Sequence, residues 1–310
     1  MISSKITLPI TLIIPTFNRP QSLLRTLKSI NNLTFLPSEL LIIDQSSDNL
    51  SFNLITSNLG GLNKDLNVKF LKHNPPSSSV ARNIGIDKAK NEILVFSDDD
   101  VDYYNEVFKI IFDSYNKNQK LSLIAAYDKD HKFKLSSLLS ILAFRKSLFQ
   151  IFRGHVTKSI LGNFPIIRIK AKTNWAMGFF FSIKKSICIQ NNIFFDLTFK
   201  DYSYAEDLDF TYRYIKALNK NKLEAYFLPN IIVNHLVSKE FRIKDSQFYF
   251  IYLYNRYYII KKNFNSSIIY IINFYISNFF FSIMLFLKNK KTYKNFSLAY
   301  KTFKKRIVNL

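Results

Sequence analysis

Asp98, Asp99 and Asp100 stand in a row directly after an apolar run that ends at Phe96 and Ser97. Three like charges at the end of a buried segment repel one another and resist desolvation, so a cation or water must compensate them. A hard divalent ion suits the task, because Mg²⁺ or Mn²⁺ takes oxygen ligands and commonly uses one or two carboxylates together with substrate phosphates. An acidic loop that solvates the strand end, with Asp100 or Asp102 capping a helix, explains the triplet equally well.

A second acidic group lies between Tyr204 and Arg213, where Glu206, Asp207 and Asp209 precede a helical stretch with Leu208, Tyr212 and Ile215 on one face. Acids at a helix N-terminus are favoured by the dipole, and Asp209 with Arg213 makes an i,i+4 pair of small helical value. The chemical reading is that one carboxylate here takes the proton from an attacking hydroxyl, which requires hydrogen-bond reach and a suitable pKa. This segment by itself fits both readings.

The elements that must carry these acids alternate along the chain. Thr7 to Pro15 reads as a strand and Pro20 to Asn31 as a helix with Leu23, Leu24, Leu27 and Ile30 on one face. Strands follow over Glu39–Asp44, Val68–Leu71 and Glu92–Ser97, with a helix over Ser79–Ala89. Alternation of this kind predicts an α/β fold with a mainly parallel central sheet. Ligands in such sheets collect at the carboxyl ends of the strands, where 15–19, 44–47 and 98–100 all lie.

At 310 residues and 48% hydrophobic content the chain suits one domain of roughly 200 to 250 residues plus an appendage. The single cysteine, Cys188, excludes an internal disulfide and fits a reducing compartment, and the opening residues lack the pattern of a signal peptide. A cytoplasmic location is therefore expected. The net charge of +22 is unevenly spread: residues 236–310 hold 14 Lys plus Arg against Glu240 and Asp245, and 131–195 hold 11 and no acid. Both stretches are interleaved with Phe, Ile, Leu and Tyr, which points to an anionic membrane surface and away from nucleic acid. A compositional bias toward Lys, Asn, Ile and Phe accounts for part of the surplus.

Taken together, the segments resemble the family 2 glycosyltransferases. The resemblance rests on Ile13-Ile14-Pro15-Thr16-Phe17-Asn18-Arg19, Leu41-Ile42-Ile43-Asp44, Ala81-Arg82-Asn83-Ile84-Gly85, Phe96-Ser97-Asp98-Asp99-Asp100 as a D-x-D element, and Ala205-Glu206-Asp207. It runs from about Thr7 to His235, and the ordered set is far more specific than any single motif. It implies a GT-A type catalytic domain over 1–238, with a nucleotide-sugar half near 1–102 and an acceptor half near 103–238, followed by a helical, basic and aromatic-rich tail over 239–310. It further implies an inverting transfer from a nucleotide-sugar donor to a hydroxyl of a glycan or lipid-linked acceptor in cell-surface polysaccharide or lipopolysaccharide synthesis.

Residue by residue, the resemblance implies that Pro15, Thr16, Asn18, Arg19, Asp44, Arg82, Asp98 and Asp99 serve the donor. Asp98 and Asp100 would hold Mn²⁺ or Mg²⁺, Asp207 would be the base, and Glu206 its catalytic neighbour. His235 follows Ile231-Ile232-Val233 where several members carry a metal-binding histidine; a surface or hydrogen-bonded histidine fits the same place. Trp175 and Gly178 fall on the acceptor side, with core packing as the other use of the tryptophan. The apolar stretch Leu135–Phe152, with Arg145 and Lys146 in it and Lys134 and Arg153 beside it, belongs to the same acceptor region. One departure stands out: Asp44-Gln45-Ser46-Ser47 replaces the two acids and glycine common after the second strand.

Other function classes have their own marks. A sugar nucleotidyltransferase wants a glycine-rich phosphate loop after the first strand, and this chain has Pro15-Thr16-Phe17-Asn18 there and 6 glycines in all. A non-catalytic nucleotide-binding protein of the same fold is the remaining alternative.

The tail carries 21 uncharged residues, Ser267–Leu287, long enough to cross a bilayer. Lys261 and Lys262 on one side and Lys288, Lys290 and Lys291 on the other break the one-sided basic excess of a true span. On a helical wheel Ser266, Tyr270, Asn273 and Ser277 form one stripe, while Ile269, Ile272, Ile276, Phe279, Ile283 and Phe286 cover much of the rest. The expectation is a helix lying on the inner leaflet of the cell membrane. A span, or a helix packed on the catalytic domain or on a second subunit of a homo-oligomer, is the alternative.

Overall fold

The computed structural model describes residues 5–58, 66–104, 106–130, 138–147, 151–199, 204–220, 222–238, 240 and 243–307. Part of the expected acceptor stretch Leu135–Phe152 lies outside them.

The first half alternates strand and helix: β1 (Ile6–Thr16), α1 (Pro20–Asn31), β2 (Phe35–Asp44), α2 (Leu50–Asn58), β3 (Asn67–Lys72), α3 (Ser78–Lys88) and β4 (Ile93–Ser97). Next come β5 (Val101–Tyr103), α4 (Val107–Lys117), β6 (Leu121–Asp128), α5 (Leu138–Leu142) and the short strands β7 (His155–Val156), β8 (Gly162–Asn163) and β9 (Ala171–Lys172). β10 (Phe180–Lys184), α6 (Lys185–Gln190), α7 (Glu206–Lys220) and β11 (Glu224–His235) complete the α/β part, and α8 (Asp245–Asn263), α9 (Ile268–Lys288) and α10 (Lys290–Ile307) form the tail.

The central sheet runs β3-β2-β1-β4-β10-β6-β11-β5, with β9 also on β11. β3, β2, β1 and β4 are mutually parallel, as are β6 and β11. β10 is inserted antiparallel between β4 and β6, and its register pairs Phe180 with Ser97. This reversal matters for chemistry, because it brings the residues just before β10 to the carboxyl end of β4, beside Asp98; the Asp98 amide donates to Phe179 O at 3.0 Å.

A mainly parallel sheet must be covered on both faces, which is why β1, β2 and β4 are almost continuously apolar. Leu12 and Ile14 pack with Leu23, Leu27 and Ile30 of α1 and Phe108 and Ile111 of α4. Ile13, Phe96 and Phe181 face the other way, toward Ala81 and Ile86 of α3 and Phe210 and Tyr214 of α7. Gly85 is required in α3, since a Cβ there would stand 2.4 Å from Ile13 Cγ2.

The tail is an up-down-up helical bundle. Phe281 of α9 sits against Tyr252 of α8 and Phe274 against Tyr257, so those two helices are antiparallel; α10 repeats the contact from its side, with Phe296 on Tyr249 and Phe303 on Tyr257. Two charges on α8 help fasten the bundle to the α/β part. Arg256, fully buried, donates from Nε to Ser159 O (3.0 Å) and Ile160 O (3.1 Å) and from Nη1 to Asn278 Oδ1 (3.0 Å). Lys262 reaches Asp209 at 3.0 Å, joining the expected Arg213–Asp209 pair and tying α8 to α7.

Candidate active site

The turn from β1 to α1 is built for close approach to the sheet end. Asn18 adopts φ 53°, a left-handed conformation that asparagine tolerates better than most residues, and Pro20 starts the helix. Thr16 Oγ1 donates to Asp99 Oδ2 at 2.6 Å, and Arg19 Nη1 lies 3.3 Å from Asp99 Oδ1 and 3.9 Å from Asp100 Oδ2. Burial pushes the Asp99 carboxyl up to about 7 despite the Arg19 charge and the Thr16 hydrogen bond.

At the end of β2 the structure separates two neighbours. Asp44 is fully buried, accepting from Lys72 Nζ at 2.7 Å and from the Ser46 amide at 3.0 Å. Gln45 takes the place in the cavity wall, where its Oε1 accepts from the amide of Ser77, the N-cap of α3.

Of the acid triplet, Asp98 is the most open, with its side chain 33% exposed. Asp100 is tucked behind it, accepting from the Ser238 amide at 2.7 Å. His235 Nε2 is 3.3 Å from Asp100 Oδ1, and its ring lies flat on Phe179 with centroids 5.2 Å apart. Burial alone would lower the His235 pKa and raise that of Asp100. Their mutual contact, aided by Asp98 and Asp128 for the histidine and by Ser238 and Arg19 for the aspartate, reverses both directions.

Asp98, Asp100 and His235 offer ligand atoms within 4.8 Å of one another, and buried Asp100 Oδ1 makes no hydrogen bond within the described residues. An orphaned carboxylate oxygen facing an imidazole nitrogen is the donor set a divalent cation would satisfy, so these three groups fit a metal.

The other side of the site comes from α7. Ala205 stands at φ 68° just before the helix, a costly conformation for a residue with a Cβ and one that clusters at functional sites. Glu206 Oε1 accepts from Arg82 Nη1 at 2.7 Å, and Arg82 Nη2 donates to Asp98 Oδ1 at 3.0 Å. Asp207 Oδ2 accepts from the Gly178 amide at 2.5 Å and Oδ1 from the Leu208 amide at 2.7 Å. Burial, with Glu206 adjoining, pushes the Asp207 carboxyl up to about 7 against the lowering influence of Arg82 and the two amides.

These groups share one cavity of about 650 Å³. Its wall includes Pro15, Thr16, Arg19, Arg82, Asp98, Asp99, Trp175, Gly178, Glu206, Asp207 and His235; Asp44 and Asp100 are buried outside the lining, and the exposed Asn18 is not part of it. Trp175 is only 3% exposed, donates from Nε1 to Asn163 O at 3.0 Å and packs on Phe164, so most of its ring is spent on the core. The wall also contains residues without a sequence signal, Ser77 and Ser78 and from the tail side Ile243 and Gln247, besides Met177 and Tyr204 from the two marked segments around Trp175 and Asp207. Gln45 had one, its position beside Asp44 in the departing Asp-Gln-Ser-Ser segment.

The family model described as Glycosyl transferase family 2 matches residues 11–182. The poly(ribitol-phosphate) beta-N-acetylglucosaminyltransferase TarP of Staphylococcus aureus (strain N315) is 27% identical over 233 residues, 74% of this chain and 64% of that protein, so the chain spans a little under two thirds of that relative. Among solved structures, the mannosyltransferase PcManGT from Pyrobaculum calidifontis, in complex with GDP-Man and Mn²⁺, is similar at a TM-score of 0.54 and 11% identity. The match covers 95% of this chain and 74% of that one. S. aureus TarS 1-349 in complex with UDP-GlcNAc is similar at 0.51 and 15% identity, over 89% and 72%. At such identities the likeness shows the fold, a GT-A type α/β domain. Because the family model spans more than half of the chain, this protein belongs to glycosyltransferase family 2.

Proposed function

We propose that the enzyme is an inverting transferase that moves a sugar from a nucleotide-sugar donor, with UDP-GlcNAc the first candidate, to a hydroxyl of an anionic cell-surface polymer or lipid-linked glycan. The observation that carries this reading is that Asp207, a carboxylate poised at about 7, opens onto the same cavity as the metal-capable Asp98 and His235. In this reading residues 1–238 are the catalytic domain and 239–310 the tail, and the protein works at the cytoplasmic face of an anionic membrane.

Asp98, Asp100 and His235 would hold Mn²⁺ or Mg²⁺, which when bound offsets charge on the departing nucleoside diphosphate. Thr16, Arg19 and Gln45 line the wall that receives the nucleotide. Asp207 removes the proton of the acceptor hydroxyl as the new glycosidic bond forms and the bond from the anomeric carbon to phosphate oxygen breaks. One displacement inverts that carbon. The amides of Gly178 and Leu208 hold Asp207 in place, so little reorganisation is needed when it acts. Glu206 is engaged by Arg82 and serves to position that guanidinium.

A panel of nucleotide sugars tested by thermal shift with Mn²⁺ present checks the donor assignment, since a ligand bound to the folded state raises its melting temperature. UDP-GlcNAc is expected to stabilise the protein in a Mn²⁺-dependent way. A panel in which no donor stabilises it would overturn the reading.

A further inference from the structure

α9 turns several polar side chains inward, beside the buried Phe274 and Leu285. Asn273, Ser277 and Asn278 are buried against the rest of the bundle, whereas Ile268, Ile272, Phe279, Ile283, Phe286 and Leu287 are 40 to 78% exposed and share the opposite face. Only 28% of the most apolar stretch of this helix is buried, at a mean hydropathy of 1.8. A soluble monomer rarely leaves so continuous an apolar stripe in water while burying three polar side chains of the same helix.

From this face we infer that α9 is the membrane-docking surface of the enzyme, lying along an anionic bilayer with its isoleucines and phenylalanines among the acyl chains. The inference specifies the membrane contact of the proposed function and rests on that location. Charge selects the occupant: Lys288, Lys290, Lys291 and Lys294 are exposed around the end of the apolar stripe, and no acidic residue follows Asp245. Two copies joined through this face would bring like charges together, whereas anionic headgroups complement them. The bundle also fixes the orientation. α10 runs beside α9, with Phe296 on Phe281 and Phe303 on Phe274, and carries exposed Lys294, Lys301, Lys304 and Lys305. A spanning α9 would drag those lysines into hydrocarbon, so the helix lies in the interfacial plane. Its polar inner face is held by Arg256, through Asn278, and α8 carries both Arg256 and the cavity residue Gln247. Docking through α9 therefore sets the active-site cavity at a fixed position relative to the lipid surface.

The test is co-sedimentation of the full-length protein with phosphatidylcholine vesicles, with and without phosphatidylglycerol. The wild type is expected to sediment with the anionic vesicles, and I272E/F279E/I283E to lose roughly tenfold or more of that binding. K288S/K291S/K294S is expected to erase the preference for phosphatidylglycerol. All three proteins should keep the Mn²⁺-dependent stabilisation by UDP-GlcNAc, which shows folding and separates this inference from the donor assignment. Binding unchanged in I272E/F279E/I283E, or wild-type protein that ignores both vesicles, would overturn the inference. So would an apolar-face variant that turns a dimer into a monomer without altering vesicle binding, which would make a second copy the occupant.

Discussion

Arg82 Nη1 donates to Glu206 Oε1 at 2.7 Å, joining residues 124 positions apart in the chain, while its second terminal nitrogen holds Asp98 at 3.0 Å. One buried guanidinium thus connects the metal-capable acids after β4 to the acids that open α7. Removing it leaves Glu206 buried and uncompensated, which costs about 3–5 kcal/mol for pairs of this kind. Arg82→Met should lower the melting temperature markedly, and adding Glu206→Gln should restore part of it in a double-mutant cycle.

Activity should depend on the protonation of Asp207. Its carboxyl is raised to about 7, so the group is a neutral acid below that pH and a competent base above it. The rate should therefore fall on the acid side of about pH 7, by about tenfold per unit once the base is mostly protonated. Asp99 is raised to a similar value, and Asp99→Asn separates the two: the acid limb should survive in that variant if Asp207 is the base. Loss of the limb would reassign it to Asp99.

Metal dependence should run through His235. Chelation should abolish transfer, and His235→Ala should raise the Mn²⁺ concentration giving half-maximal activity by roughly 10–100-fold, the range seen when support of a metal site is removed. A variant with an unchanged Mn²⁺ titration would show that Asp98 and Asp100 suffice.

Gly178 is a steric prediction. A Cβ there would lie 3.1 Å from Arg82 Nη2 and 3.2 Å from Asp207 Oδ2, so both charged groups would have to give way. Gly178→Ala should reduce kcat by up to about 100-fold, the scale of a small misplacement of a catalytic group, with a smaller effect on overall stability. Equal activity would mean that Asp207 need not be held where it stands.

Most of the strand-and-helix order of the first hundred residues was legible because apolar runs and a proline-started helix follow simple periodicity, and the acid motifs stood out by type and place; α2 (Leu50–Asn58) went unread, since only Ser51 and Ile55 of it are buried. The antiparallel insertion of β10 was not, since nothing local in Phe180–Lys184 says which strands will flank it; yet that insertion is what sets Gly178 beside Asp98 and Asp207. Asp44 matched the motif, but Lys72 claims it from behind and Gln45 faces the cavity in its stead, a choice made by a partner 28 residues away. Ile243 and Gln247 gave no signal because they reach the site only through the docking of the tail. In α9 the wheel revealed the polar stripe of Asn273 and Ser277 but not that it would turn inward, because the usual rule of polar faces outward is reversed there.

The central claim is most directly tested by measuring nucleoside diphosphate release from UDP-GlcNAc with Mn²⁺ and a polyol-phosphate or glycan hydroxyl acceptor present, in wild type and Asp207→Asn, alongside the donor affinity of each. The account predicts turnover by the wild type and a loss of about 100-fold or more in the variant, with donor affinity nearly unchanged, because the base acts on the acceptor and not on the nucleotide. Normal turnover by Asp207→Asn would contradict it.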